Sequence, residues 1–257
     1  MSLNPYEASA MPAPTALQRN DASIYRPAHG IAAWASWWLL ATGVFEFLMA
    51  IPFYFLEPVL DGDADQLQAN GWTGEMLIAL WFGLVGTACV TVIANITGIV
   101  LYCIWAYRAN KNAHALGAQG MEFTPGWMVG WYFIPFMNLF KPYQAIKETY
   151  QASDPDSDAH SWKQSPTPVL FGLWWAMWLI SNFVGQAEFR MAMSEDPNIL
   201  GASRWVSLLS SFVGLLASVL VFQVIRTIHQ RQEAKAQVAH KQPPQAAIST
   251  ASFADFK

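Results

Sequence analysis

Long apolar runs alternate with short polar stretches along this chain, and the runs are too long for the interior of a small soluble domain. Residues 31–56, 76–107, about 168–187 and 205–225 are each predominantly apolar. A helix needs about 20 such residues to cross a bilayer, so each run predicts one crossing. Residues 1–29 are rich in Ala, Pro, Asn and Ser and have no period, which predicts a disordered tail. A Gln/Ala/Pro-rich tail over 238–257 closes the chain and leaves a membrane domain over 30–237.

The same pattern sets expectations for the helix ends. The second span carries no formal charge, and its helix is predicted to project past the membrane to about Leu116, where Gly117 stops it. Pro52 removes a hydrogen bond near the far end of the first span and predicts a kink. The fourth helix is predicted to run on through Arg226, Arg231 and Lys235, which are good helix formers. Residues 57–75 and 188–204 read as polar connections, and 153–165 as a polar loop holding Asp154, Asp156 and Asp158.

One apolar stretch breaks the pattern. From Phe123 to Tyr143 the chain reads FTPGWMVGWYFIPFMNLFKPY, with prolines at 125, 135 and 142. Arg108 and Lys111 precede it, and Lys141 and Lys147 stand at its end and just after. Basic residues at both ends predict that both ends lie on one side of the membrane. The segment then dips into the bilayer or lies along it, because irregular backbone at membrane depth survives only against protein or a wet cavity. Thr124 and Pro125 read as N-cap and N1 of a short helix, Pro135 breaks it and Pro142 starts the next. In that next helix, to about Ala152, Tyr143, Ile146 and Tyr150 share one face and Gln144, Lys147, Glu148 and Gln151 the other, the pattern of an interfacial helix. Taking 125–140 as a fifth crossing would move the basic C-terminal tail outside, and roughly sixteen residues fall short of a span.

Composition supports a lipid environment. Of the 257 residues, 54% are hydrophobic and only 12% are charged, against roughly a quarter charged in soluble domains. The 13 Trp and 16 Phe suit headgroup-level aromatic belts. Most Lys and Arg fall before span one, between spans two and three, or after span four; Arg190 and Arg204 fall elsewhere. The positive-inside rule then places both termini in the cytoplasm, in a cell membrane. No basic domain suggests nucleic acid as a partner. Cys89 and Cys103 lie about 21 Å apart along one helix, too far for a disulfide, and read as packed hydrophobes. All five histidines, at 29, 114, 160, 229 and 240, fall outside the spans, so no haem or other cofactor is expected. No phosphate loop, nucleophile elbow or metalloprotease motif is present, which argues against an enzyme.

Candidate functional residues are few. Glu46 is the ionisable residue deep in a span, where a charge costs at least about 2.5–3.5 kcal/mol. It reads either as a proton or cation site or, the heavier alternative, as a protonated carboxyl bonding two helices. Thr87, Asn182, Ser210 and Ser211 are its expected neighbours. Asn95, Asn182 and Gln186 are more often interhelical bonds than ligand sites. The stripes Ser210–Gly214–Ser218, Ala79–Gly83 and Ala94–Gly98 allow close helix contact, more simply within one chain than in a dimer. Trp105, Arg108 and Asn112 stand at i, i+3 and i+7 on the helix leaving the membrane. Arg108 either snorkels to lipid phosphate or, the favoured alternative, donates to backbone carbonyls freed by Pro135 or Pro142.

The pairing of W-x-x-R-x-x-x-N (Trp105, Arg108, Asn112) with the Pro/Trp motif from Phe123 to Gln144 resembles a family of bacterial membrane proteins catalogued as domain of unknown function 4328. The resembling part runs from about span one to span four. It implies a multi-span bacterial inner-membrane protein and brings no substrate, cofactor or catalytic residue. It also implies that Trp105, Arg108, Pro125, Gly126, Trp127, Pro135, Asn138, Pro142 and Tyr143 form the defining module.

The sequence thus predicts an all-α integral membrane protein with four transmembrane helices plus a Pro/Trp-rich re-entrant or interfacial segment, over 123–152, on the cytoplasmic side. Its partners are the lipid bilayer and either a protein partner or further copies of itself. The leading expectation for function is a structural or interaction protein organising partners or lipids at the inner leaflet. The alternative is a small oligomeric channel or proton-coupled transporter using Glu46, with Asn95 and the folded-back segment lining its path.

Overall fold

A computed structural model describes residues 25–60, 64–194 and 196–241, and among them the regular elements are all helical. The order is α1 (His29–Leu60), α2 (Ala64–Ala69), α3 (Gly74–Ala115), α4 (Pro125–Gly130), α5 (Lys141–Ala152), α6 (Val169–Ala192) and α7 (Pro197–Lys241). Short 3-10 turns cover Trp131–Phe133, Met137–Leu139 and Ser161–Gln164. Four helices, α1, α3, α6 and α7, are long and apolar enough to cross a membrane.

Local chemistry accounts for the ends. The Thr73 side chain caps α3 by accepting from the Met76 N–H at 3.3 Å. Leu116 closes that helix, and Gly117 turns the chain away at φ +89°, a conformation that costs glycine little. α1 stays helical across Pro52. α6 and α7 reach further toward each other than the composition of 188–204 suggests, and only residues 193–196 separate them. Polar residues there extend both helices past the apolar runs.

The four long helices form a row. α6 packs on α7, α7 on α1, and α1 on α3. Small residues set the close approaches: Ser218 of α7 sits where a Cβ on Gly43 of α1 would be, and a Cβ on Gly98 of α3 would lie 3.0 Å from Leu39 of α1. The indole of Trp38 donates to the Ala94 carbonyl at 2.9 Å. The Ser210–Gly214–Ser218 and Ala94–Gly98 stripes therefore serve contacts within the chain, whereas among the described residues no other element lies within 4 Å of a Cβ placed on Gly83.

The packed core lies at one end of this row. Ala32 and Ala35 of α1, Trp105 and Ala109 of α3, Met128 of α4, Ile146 and Tyr150 of α5, Phe171 and Trp174 of α6 and Ile225 and Ile228 of α7 meet there. At that end α1 begins, α3 ends, α6 begins and α7 ends its apolar part, so both ends of the described chain emerge on one face. Buried positions on α7 continue as Val224, Ile225, Ile228, Gln232 and Lys235, at the i, i+1, i+4, i+8, i+11 spacing of one helix face.

Two tail boundaries need correcting. Residues 25–28 fall in the stretch read as disordered, yet Ala28 is buried and Arg26 is held by Asn112. α7 runs to Lys241, four residues into the stretch read as C-terminal tail. The remainder of both tails, and Asp61 and Asp63, lie outside the described residues.

Candidate functional site

The Pro/Trp segment bridges α3 and α6 at the core end. Thr124 and Pro125 begin α4 as expected, although the Thr124 side chain makes no capping bond. Trp127 stacks on Trp131, centroids 4.8 Å apart. A Cβ on Gly130 would lie 3.1 Å from the Trp127 ring, so a larger residue there would crowd that ring. Tyr132 shares a 2.7 Å hydrogen bond with Tyr102 of α3 and packs edge-on against Trp175 and Trp178 of α6. The Trp175 indole donates to the Leu139 carbonyl at 2.8 Å.

After Pro135 the chain makes a tight turn. Phe136 has φ +64°, and the Met137 N–H donates back to the Pro135 carbonyl at 2.8 Å. This is the three-residue γ-turn with a positive central φ, a rare and strained conformation for a residue with a Cβ. The turn points the Phe136 ring outward, 77% exposed, beside exposed Phe133 and Phe140. The segment thus has a dry face toward α3 and α6 and an aromatic face away from them. No helix within it is long enough to cross a membrane.

A polar clasp fixes the segment's start. Glu148 of α5 accepts from the Glu122 and Phe123 N–H groups at 2.6 and 3.0 Å. Burial pushes the Glu148 carboxyl up, and those two N–H groups partly offset the shift. Lys141 pairs with Glu122 at 3.1 Å and lies over the Phe123 ring.

The motif residues separate into distinct roles. Trp105 is buried in the core. Asn112 is buried, and its carboxamide pairs with the backbone of Arg26, donating to its carbonyl at 3.0 Å and accepting from its N–H at 3.4 Å. Arg108 does not make the expected bonds to backbone carbonyls freed by Pro135 or Pro142. It is half-buried and has no hydrogen-bond or ion-pair partner among the described residues. Local turns use the Ile134 and Pro135 carbonyls. Pro142 is buried, Tyr143 and Asn138 are half-buried, and Gly126 and Pro135 are exposed. Asn138 contributes through its backbone N–H, which donates to Ile134.

α5 departs from the interfacial reading. Ala145, Ile146, Thr149 and Tyr150 are buried by α3, α4, α6 and α7 instead of facing lipid. An amphipathic period cannot say which apolar surface it meets. The sequence predicts the extension of α7 through Lys235 but not its docking on α5. Arg231 donates to the Tyr150 hydroxyl and to Ser165, both at 2.6 Å, and pairs with Asp154 at 2.8 Å. Burial opposes ionisation of Asp154, but hydrogen bonds from Ser165 and the Asp156 N–H, together with Arg231, hold its carboxyl below the usual range. Gln232 donates to the Ala109 carbonyl at 2.7 Å, and Lys235 to the Ala152 carbonyl at 2.9 Å. The available signal was the helical spacing of Ile225, Ile228, Gln232 and Lys235, obscured because two of the four are polar.

Glu46 has a partner other than those expected. Asn95 of α3 donates to its carboxyl at 2.6 Å and also to the Thr91 carbonyl at 3.0 Å. Asn95 is exposed on the surface of the row. Asn182 donates to the Trp178 carbonyl of its own helix and lines an open groove on α6 with Gln186 and Arg190.

A basic open groove of about 540 Å³ lies between α5, the 163–168 linker and the start of α6. Lys147 and Lys163 line it, and no carboxylate does.

The chain matches the family described as Domain of unknown function (DUF4328) over residues 72–230. It belongs to that family. The match takes in α3 to most of α7 and leaves out α1, so it begins later than the resemblance from span one suggested. The DUF4328 match covers both the Trp105–Asn112 motif and the Pro/Trp segment. No curated protein and no solved structure matches the chain.

Proposed function

We propose that this DUF4328 protein is a structural or interaction protein of the cell membrane and has no catalytic activity. In this reading four helices cross the bilayer, both termini lie in the cytoplasm, and the Pro/Trp segment sits at the inner leaflet as an interfacial or re-entrant wedge. The observation that carries it is the two-sided character of that segment. Its inner face is taken up by aromatic packing between α3 and α6, while Phe133, Phe136 and Phe140 face away from the row. Such a wedge suits anchoring to lipid, a protein partner or a second copy. The α7 extension supports the same reading, because it ties the last helix to the wedge through Tyr150 and Ser165.

The channel or proton-coupled reading rests on Glu46 and Asn95. Neither cavity described above reaches that pair, and the carboxyl is engaged with Asn95.

Side-specific thiol labelling tests the proposal. With Cys89 and Cys103 replaced by Ala, single cysteines at Ile134, Phe136 and Ser161 are challenged with an impermeant maleimide in intact cells and in inside-out vesicles. The expected result is labelling of Ser161→Cys from the cytoplasmic face alone, with Ile134→Cys and Phe136→Cys unlabelled from outside. Labelling of Ile134→Cys and Phe136→Cys from both faces would mean a wet path and overturn the proposal.

A further inference from the structure

We infer that a second copy of this chain packs against the side of the row that carries Glu46, Asn95 and Asn182, so that the Glu46–Asn95 pair of each copy meets Asn182 of the other. This rests on the reading of a four-span interaction protein and names its partner.

Helical phase brings these residues to one side. Glu46 stands seven residues beyond Leu39, Asn95 seven before Tyr102, and Asn182 seven beyond Trp175. Leu39, Tyr102 and Trp175 all belong to the core or pack against it. Seven residues fall about 20° short of two turns and rise about 10 Å. Each polar side chain therefore lies on the core side of its helix, one level further along the span. The wedge occupies this side at the level of Tyr102 and Trp178, through Tyr132. Beyond that level the side is open. Asn95 and Asn182 are exposed, and an open groove of about 610 Å³ follows α6 past Trp178, Asn182 and Phe189.

Unused hydrogen-bonding capacity says what covers this side. Both N–H groups of the Asn95 carboxamide are spent, one on Glu46 and one on the Thr91 carbonyl. Its oxygen and the second Glu46 oxygen are acceptors with no partner among the described residues. Asn182 gives one N–H to the Trp178 carbonyl and keeps the other. Gln186, one turn further, has no partner among the described residues. One edge of the open side thus offers acceptors, and the other offers donors. Hydrocarbon satisfies neither. A two-fold axis along the membrane normal keeps every residue at its own depth and sets α3 of one copy opposite α6 of the other. Acceptors then face donors twice in one interface. A lipid chain would fill the groove and leave these groups unpaired.

The test uses the full chain in phosphatidylcholine vesicles, as two populations carrying different fluorophores, with energy transfer read as the protein is diluted in lipid. Wild type should show transfer well above the random level. Asn182→Leu removes a contact that the dimer makes twice and should weaken association about ten-fold, whereas Asn182→Gln keeps the carboxamide and should retain it. Because Asn182 bonds only its own helix within the chain, the monomer should stay folded, which circular dichroism checks. Disulfide trapping then reads the arrangement without altering the polar residues. With Cys89 and Cys103 replaced by Ala, one tagged chain carries Ala88→Cys and the other Phe189→Cys, seven residues further out than Asn95 and Asn182. The mixture should cross-link on oxidation, and neither chain should do so alone. Random transfer in wild type would leave lipid or water covering this side and overturn the inference. Unchanged association in Asn182→Leu, or cross-linking of Ala88→Cys alone as strong as in the mixture, would also overturn it. A monomer would leave the thiol-labelling pattern of the wedge unchanged, and a wet wedge would leave the transfer measurement intact, so the two proposals fail separately.

Discussion

At the scale of single residues, the chain uses side-chain amides where backbone partners run out. Asn112 is the clearest case, because its carboxamide serves both backbone groups of Arg26. Asn112→Ala should release residues 25–28, seen as faster amide hydrogen exchange there, at a cost of about 1–3 kcal/mol for the buried groups left unpaired. Arg26→Ala should change little, since the bonds are to its backbone. Glu46→Gln should also be near neutral for folding, because the Gln carbonyl can accept from Asn95 as the carboxyl does; Glu46→Ala should cost about 0.6–2 kcal/mol. A fall in thermal stability as large for Gln as for Ala would show that the carboxyl does more than bond two helices. Phe136 is the strained residue. Phe136→Gly should relieve about 1–3 kcal/mol of backbone strain and raise stability in detergent. It should also weaken the protein's hold on an interface by removing an exposed ring.

At the scale of elements, the join between α7 and α5 carries the charge chemistry. The native pKa of Asp154 lies below its unfolded value, so its contribution is present above the ordinary carboxylate range, about pH 4. That contribution is lost as pH falls through the depressed native value. Thermal stability should therefore drop on acidification below about pH 4, and Asp154→Asn should flatten that part of the profile. Glu148 works in the opposite sense, since its raised native pKa favours the native state at low pH; Glu148→Gln separates the two. Removing Arg231 alone leaves the half-buried Asp154 without its cation, so Arg231→Met should destabilise more than Arg231→Met combined with Asp154→Leu. Comparable unfolding midpoints for these two variants would mean the pair is not coupled.

At the scale of the whole molecule, the row of helices is held at one end by the core and the wedge. Tyr102 and Tyr132 link α3 to the segment, and Trp175 links the segment to α6. Tyr102→Phe and Tyr132→Phe should each loosen this link, and the double variant should cost little more than either alone. Additive losses in apparent melting temperature would show that the hydroxyls act independently. Much of this architecture was legible beforehand. A bilayer core of fixed thickness makes length and apolarity alone sufficient to locate the four span-like helices, and Gly117, Pro125 and Pro142 mark helix ends through backbone constraints that act locally. What only the tertiary structure decided are the contacts that depend on two distant stretches meeting. The apolar face of α5 meets protein instead of lipid, Asn112 captures residue 26, Glu46 finds Asn95, and Arg231 reaches Tyr150 and Asp154. Periodicity records that a face is buried or polar and is silent on its partner, because the same pattern satisfies lipid, water or another helix equally well.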